Sequence, residues 1–319
     1  MDRIGTDIQY AARLLRDGKL VAIPTETVYG LAANALDPGA VLRVFEVKER
    51  PSFDPLIVHV GSKEQALGLI SDPPEEALDL MNEFWPGPLT LVLAKRDLVP
   101  DLVTSGLPTI AVRMPAHPMA LSLLRSLPFP LAAPSANPFG YISPTSAQHV
   151  IDGLGDKVAY VLDGGSCRIG VESTVLGYKD GAWVLLRQGG VAQESIEEHV
   201  QIGAVQASST SRPEAHGMLS SHYAPRTPLV LGDPEALLPN YAGARVAVLS
   251  FQERYSGGMV DLVLSPSGEL TEAARNLFAL LRQADASGAE VIIAERVPQV
   301  GLGRAINDRL ARAATERDV

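Results

Sequence analysis

What most constrains the fold of this chain is how short its apolar runs are and how each one stops. Leu20-Val21-Ala22-Ile23 ends at Pro24, Ile57-Val58-His59-Val60 follows Pro55, and Thr109-Ile110-Ala111-Val112-Arg113 stops at Pro115. Runs of this length bounded by proline read as strands rather than buried helices. Between them lie stretches of helical period. Ile8, Ala11, Ala12, Leu14 and Leu15 make one apolar stripe over 8–17. Asp37-Pro38 is an N-cap followed by proline at the first helical position, and Val41, Leu42, Val44, Phe45 and Val47 continue that helix to Lys48. Helices over 73–84 and 117–126 and strands over 55–60, 89–94, 158–162, 174–176 and 183–186 complete the first 203 residues. Strands joined by both helices and hairpins predict a mixed α/β sheet, partly parallel and partly antiparallel.

Composition changes at 204–226, which is rich in Ser, Ala and Pro and keeps no period, as expected of a linker. Strands near 228–231, 245–250, 260–264 and 291–295, with helices over 269–286 and 302–315, then predict a smaller α/β domain over 227–319. The expected division is 1–203, 204–226 and 227–319. Hydrophobic residues at 46% and charged residues at 20% describe a globular chain, and aromatics at 5% leave its cores to Val, Leu, Ile and Ala.

Several function classes are disfavoured. A net charge of −10 argues against broad nucleic-acid binding, which rests on phosphate neutralisation, although a local cationic cleft stays open. A single cysteine, Cys167, allows no intrachain disulfide and no thiolate zinc site. Met1-Asp2-Arg3-Ile4 lacks the plan of a signal peptide, and no apolar run approaches the roughly 20 residues that span a bilayer, so a cytoplasmic location without membrane contact is expected. There is no Walker loop. Gly301-Leu302-Gly303 lacks the third Rossmann glycine, and Ser135 does not sit in a G-x-S-x-G elbow.

The polar motifs gather at strand ends, where α/β proteins place their chemistry. They are Pro24-Thr25-Glu26-Thr27-Val28-Tyr29-Gly30, Lys48-Glu49-Arg50-Pro51 and Pro134-Ser135-Ala136-Asn137, with His59, Arg113, Ser143, Glu172-Ser173-Thr174 and Arg187 around them. Cations and hydroxyls outnumber carboxylates, which suits an anionic substrate. Lys48 and Arg50 have the chemistry of a polyphosphate clamp, although spacing alone favours the plainer reading of a solvated helix end. Ser135 and Asn137 have the chemistry to read a nucleotide or to cap the next turn, and on local chemistry capping is the better reading. Arg113 ends an apolar strand and needs a partner there, which Glu26, Asp54 or a substrate carboxylate would supply.

In order and spacing, 24–30, Lys48-x-Arg50, 55–59, 109–113, Ser135-x-Asn137, Ser173-Thr174 and Leu186-Arg187 resemble the YrdC-like family. With the added region beginning at His222-Tyr223-Ala224-Pro225, the chain is similar to the long form of the L-threonylcarbamoyladenylate synthases. The resemblance implies a twisted, open sheet with a cationic concave face and a smaller Rossmann-like C-terminal domain. It implies a nucleotidyltransferase that makes threonylcarbamoyl-AMP and pyrophosphate from L-threonine, bicarbonate or carbon dioxide, and ATP. Magnesium would sit on the phosphates, and downstream proteins would transfer the threonylcarbamoyl group to tRNA. Direct tRNA contact is left open.

By the same resemblance, Thr27, His59, Arg113, Ala133 and Ser173 line a threonine pocket. Lys48, Arg50, Asp54, Ser135, Asn137, Ser143 and Arg187 hold the nucleotide, with Thr109 and Tyr223 as further contacts, and Lys48 and Arg50 carry the catalytic charge stabilisation. Asp54 stands where the family often has asparagine, so it is expected to accept a hydrogen bond, assist the metal or pair with a cation. Residues 204–226 are either a lid over the nucleotide or a plain tether. The rivals are a tRNA or double-stranded RNA-binding module, a carbamoyl-transfer enzyme, and an ATP sensor without turnover.

Overall fold

The computed structural model describes residues 3–205 and 223–315. The first unit contains β1 (Ile4–Gly5), β2 (Val21–Ile23), β3 (Gly30–Asn34), β4 (Ile57–His59), β5 (Leu89–Ala94), β6 (Thr109–Arg113), β7 (Leu131–Ala132), β8 (Tyr160–Leu162), β9 (Thr174–Lys179), β10 (Ala182–Arg187) and β11 (Ile202–Val205). They form one mixed sheet in the order β1-β8-β2-β3-β7-β4-β6-β5-β9-β10-β11. The second unit has β12 (Leu229–Leu231), β13 (Val246–Ser250), β14 (Val260–Val263) and β15 (Val291–Ala294) in the order β12-β15-β13-β14, every neighbouring pair parallel. The mixed α/β architecture with a smaller second sheet is the one expected.

Local signals that were strong in the sequence are realised. Asp37 Oδ1 accepts from Gly39 N at 2.9 Å and caps the helix Pro38–Lys48. Among the elements that differ from expectation, two show why. β3 has the sequence Gly-Leu-Ala-Ala-Asn, whose small residues carry little strand propensity; pairing with β2 on one side and β7 on the other makes it a strand. β9 runs to Lys179 rather than 176, because Asp180 and Gly181, both at positive φ, turn it tightly into β10. Of the expected linker, residues 206–222 lie outside the described residues; 204 and 205 close β11, and Tyr223 is buried.

Strand alternation divides the large sheet into two faces. Leu91 and Leu93 of β5 and Ile110 and Val112 of β6 pack with Val44 and Phe45 of the helix Pro38–Lys48 and Leu80 and Met81 of the helix Glu75–Phe84. The alternate residues Val92 and Ala111 turn to the other face and join Ile57, Val175 and Leu186 in a separate apolar bed. In the second unit, helices Leu270–Ala286 and Leu302–Ala313 cover the sheet through Leu277, Phe278, Leu281, Ile306 and Leu310. The same cluster takes in Val28, Ile142 and Val171 of the first unit. The approach is close enough to require Gly170, at φ +80°, because a Cβ there would strike Arg275 Cα and Ala274 O.

Candidate active site

Strand register places the site. β4 and β6 are parallel with His59 opposite Arg113, β5 and β9 are parallel with Thr90 opposite Val175, and β9 and β10 are antiparallel with Val175 opposite Arg187. His59, Arg113 and Arg187 therefore end adjacent parts of one sheet. The β2–β3 hairpin loop brings Thr27 to the same end, and the segment after β7 brings Ser135.

All five residues expected in the threonine pocket, Thr27, His59, Arg113, Ala133 and Ser173, line one cavity with Ser135, Arg187 and Glu172. Arg113 donates from Nη2 to Glu26 Oε1 at 2.5 Å, from Nη1 to Thr27 Oγ1 at 2.9 Å and from Nε to Gly87 O at 3.1 Å. Glu26 is thus its protein partner, and two of its five N–H groups have no partner among the described residues. His59 is 3% exposed, and its Nδ1 has no partner among them either. Burial, helped by the Arg113 guanidinium, lowers its pKa to about 3, so the ring is neutral. Ser173 Oγ pairs with Thr90 Oγ1 at 2.7 Å, and Arg187 donates from Nη2 to Ser173 O at 2.9 Å.

The clamp residues are buried rather than solvated. The left-handed turn at Glu49 ends the helix Pro38–Lys48 and sends Arg50 inward. Lys48 Nζ donates to Ser135 O and Asn137 O, both at 2.5 Å. Burial, with Arg50 nearby, holds its pKa well below the ordinary lysine value. Arg50 Nη2 lies 2.9 Å from Asp54 Oδ2, both side chains fully buried, so this carboxylate pairs with a cation. Arg50 Nη1, Ser135 Oγ and Asn137 Oδ1 are buried with no partner among the described residues. Orphaned buried groups are costly and call for a ligand. Ser135 lines the cleft itself, and Asn137 O shares the Lys48 ammonium with Ser135 O.

Ser143 Oγ donates to Glu172 Oε1 at 2.6 Å, and Tyr223, completely buried, sits under the guanidinium of Arg309, 5.1 Å from its ring centre. Of the expected nucleotide contacts, Ser135 and Arg187 line the cavity; Lys48, Arg50, Asp54, Asn137, Ser143 and Tyr223 are outside its lining, and Thr109 is set apart. It is four residues from Arg113 on the same face of β6, roughly 13 Å away by strand rise. It lines a cavity of about 240 Å³ with Val92, Tyr178 and Leu186, at the far end of the apolar bed. Sequence reasoning gave no role to Glu172 and missed Arg309. The available signal for Arg309 was a charge on the apolar stripe of Leu302, Ile306, Leu310 and Ala313.

No cluster of three or more His, Cys, Asp or Glu side chains suited to a metal occurs among the described residues. The cleft between the buried side chains has a volume of about 30 Å³, about one water molecule. Fold and cleft together define a mixed α/β protein with a buried, cation-rich site for anionic substrates.

Residues 13–189 match the Sua5/YciO/YrdC family, described as "Telomere recombination", and residues 191–315 match the C-terminal domain of threonylcarbamoyl-AMP synthase. The chain is 46% identical to the threonylcarbamoyl-AMP synthase of Pyrococcus abyssi, over 97% of this chain and 94% of that protein. It is 45% identical to the Bacillus subtilis protein of the same name, over 97% and 93%. The crystal structure of P. abyssi Sua5 complexed with L-threonine matches with a TM-score of 0.90 at 45% identity, covering 96% of this chain and 94% of that one. The chain belongs to the threonylcarbamoyl-AMP synthase family.

Proposed function

We propose that this chain is a nucleotidyltransferase that converts L-threonine, bicarbonate or carbon dioxide, and ATP into threonylcarbamoyl-AMP and pyrophosphate. The observation that carries the reading is the convergence of His59, Arg113, Ser173 and Arg187 with the hydroxyl of Ser135 in one buried cleft. The names of the full-length relatives support it.

Threonine sits with its carboxylate on the two open N–H groups of Arg113 and its polar groups against Thr27, Ser173 and neutral His59. A ring with a pKa of about 3 is too weak a base to hold the ammonium proton, so His59 orients the amine by accepting a hydrogen bond. The ammonium gives a proton to solvent, the free amine adds to carbon dioxide and loses a second proton to give the carbamate, and a carbamate oxygen attacks the α-phosphorus of ATP with pyrophosphate leaving. Most of the work is positioning and charge stabilisation. Lys48 and Arg50, with Ser135, Asn137, Ser143 and Arg187, hold the phosphates. The apolar bed of Ile57, Val92, Ala111, Val175 and Leu186, with Thr109 at its far end, takes the base.

Magnesium, carried on the triphosphate, would neutralise phosphate charge. Exclusion of water from the cleft would protect the carbamate and the mixed anhydride from hydrolysis. The product passes to proteins that modify tRNA in the cytoplasm. No helix among the described residues is long and apolar enough to cross a membrane.

The test is pyrophosphate release from ATP with magnesium, omitting L-threonine or bicarbonate in turn. Release that requires both is the expected result. Release independent of threonine would overturn the assignment.

A further inference from the structure

Glu172 is an unexpected residue in a cleft for anions. The residue lines the cavity beside Arg113, Ser173 and Arg187 and is only 3% exposed. An uncompensated carboxylate there repels both the triphosphate and the threonine carboxylate. Its compensation comes from the other end of the chain. Arg309, 0% exposed on the helix Leu302–Ala313, donates from Nε to Glu172 Oε2 at 2.9 Å, from Nη2 to Gln188 O at 2.9 Å and from Nη1 to Asp308 Oδ2 at 2.7 Å. Arg312 Nε holds the other oxygen of Asp308 at 2.9 Å. The second oxygen of Glu172 accepts from Ser143 Oγ, and the backbone oxygen of Ser143 accepts from Arg282 Nε at 3.4 Å. Helices of the C-terminal unit thus grip both members of the Ser143–Glu172 pair.

We propose that Arg309 is a positioning residue of the nucleotide site. By cancelling the charge of Glu172 and fixing its carboxylate, it keeps the corner formed by Ser143, Ser173 and Arg187 receptive to the phosphates of ATP. This rests on the function proposed above and adds to it a task for the C-terminal unit. A tether between the units would not need this arrangement. An apolar contact joins surfaces without desolvating a guanidinium and a carboxylate, and the units already share one through Val28, Ile142 and Val171. The ion pair instead reaches Glu172 in the lining of the cleft and continues to the Ser143 hydroxyl bonded to it.

The test is calorimetric titration of the full chain with ATP and magnesium, for wild type, Arg309→Met, Glu172→Gln and the double variant. Arg309→Met leaves a buried carboxylate facing the phosphates and is expected to weaken ATP binding at least about tenfold. The double variant is expected to return to within about threefold of wild type, because no charge is then left unpaired. Glu172→Gln alone is expected to bind ATP at least as tightly as wild type. A purely structural role for Arg309 predicts no such rescue. Wild-type binding by Arg309→Met, or a folded double variant as weak as that single variant, overturns the inference. Should Arg309→Met not fold, the double variant and Glu172→Gln decide it, the latter overturning it by binding tenfold or more weakly. Failure of wild type itself to bind ATP would instead sink the functional proposal beneath it.

Discussion

Replacing Lys48 by methionine removes one ammonium group from the site while keeping most of the side-chain volume. The ammonium has three N–H groups, and two are committed, at 2.5 Å each, to Ser135 O and Asn137 O. One is left for a phosphate oxygen. A hydrogen bond to a charged group contributes about 1.5–3 kcal/mol, and about 1.4 kcal/mol is a tenfold change in affinity. ATP should therefore bind about 10- to 150-fold more weakly to the variant. Folding is affected in two opposing ways. Two carbonyls lose their donor, at about 1–3 kcal/mol each, while the desolvation that depresses the lysine pKa is relieved. The variant is expected to fold. The assay is calorimetric titration with ATP and magnesium, with a thermal melt to verify folding. L-threonine, whose proposed pocket Lys48 does not touch, serves as the control and should bind within about twofold of wild type. A folded variant with ATP affinity within about threefold of wild type would refute the assignment of the third N–H to phosphate.

Three further outcomes are expected. His59 has a folded pKa of about 3 against 6.5 for an exposed ring, so between those values the unfolded chain binds the extra proton. Its contribution is present above about pH 6.5 and lost as pH falls towards 3, with a slope of up to about 1.4 kcal/mol per pH unit. Urea melts should show that part of the slope missing in His59→Asn, and identical pH dependences would contradict it. Gly189→Ala should destabilise the protein by about 2–3 kcal/mol or more, since its Cβ would land on the Ser173–Thr174 peptide; an unchanged melting temperature would show that the contact yields freely. Asp54→Asn leaves the buried Arg50 without its carboxylate. The free variant should melt lower, and ATP should raise its melting temperature by more than it raises that of wild type. Equal shifts would show that the pair does not respond to nucleotide.

Elements whose local chemistry agreed with their tertiary setting were legible in the sequence. The helix Pro38–Lys48 carries its own cap and proline, and Thr109–Arg113 is a run of strand formers with a stop. β3 was not legible, because Gly30, Ala32 and Ala33 have no preference that a neighbour-blind reading detects. The site divides in the same way. Motif residues near strand ends could be named, but the partner of Arg113 was undecided among Glu26, Asp54 and substrate until the hairpin loop placed Glu26 Oε1 at 2.5 Å. By spacing alone Lys48 suited a solvated helix end better than a clamp, and only packing against the segment after β7 buries it. The Arg309–Glu172 pair spans 137 residues of chain, and separations of that kind leave no periodic trace. Thr109 shows the reverse limit. Its place in a motif was clear, while its distance from the cationic cleft follows only from strand direction.

The apolar cluster between the two units has a bearing on how the molecule opens. Val28, Ile142 and Val171 are buried in it with residues of the C-terminal helices. Each is the immediate chain neighbour of a polar residue in the cleft lining or bonded to it: Thr27, Ser143 and Glu172. Breathing of the C-terminal unit away from these three would release three binding segments together. Their amide exchange should then follow the opening free energy of the helix Leu270–Ala286 rather than that of the central strands, making them one cooperative unit drawn from distant parts of the sequence.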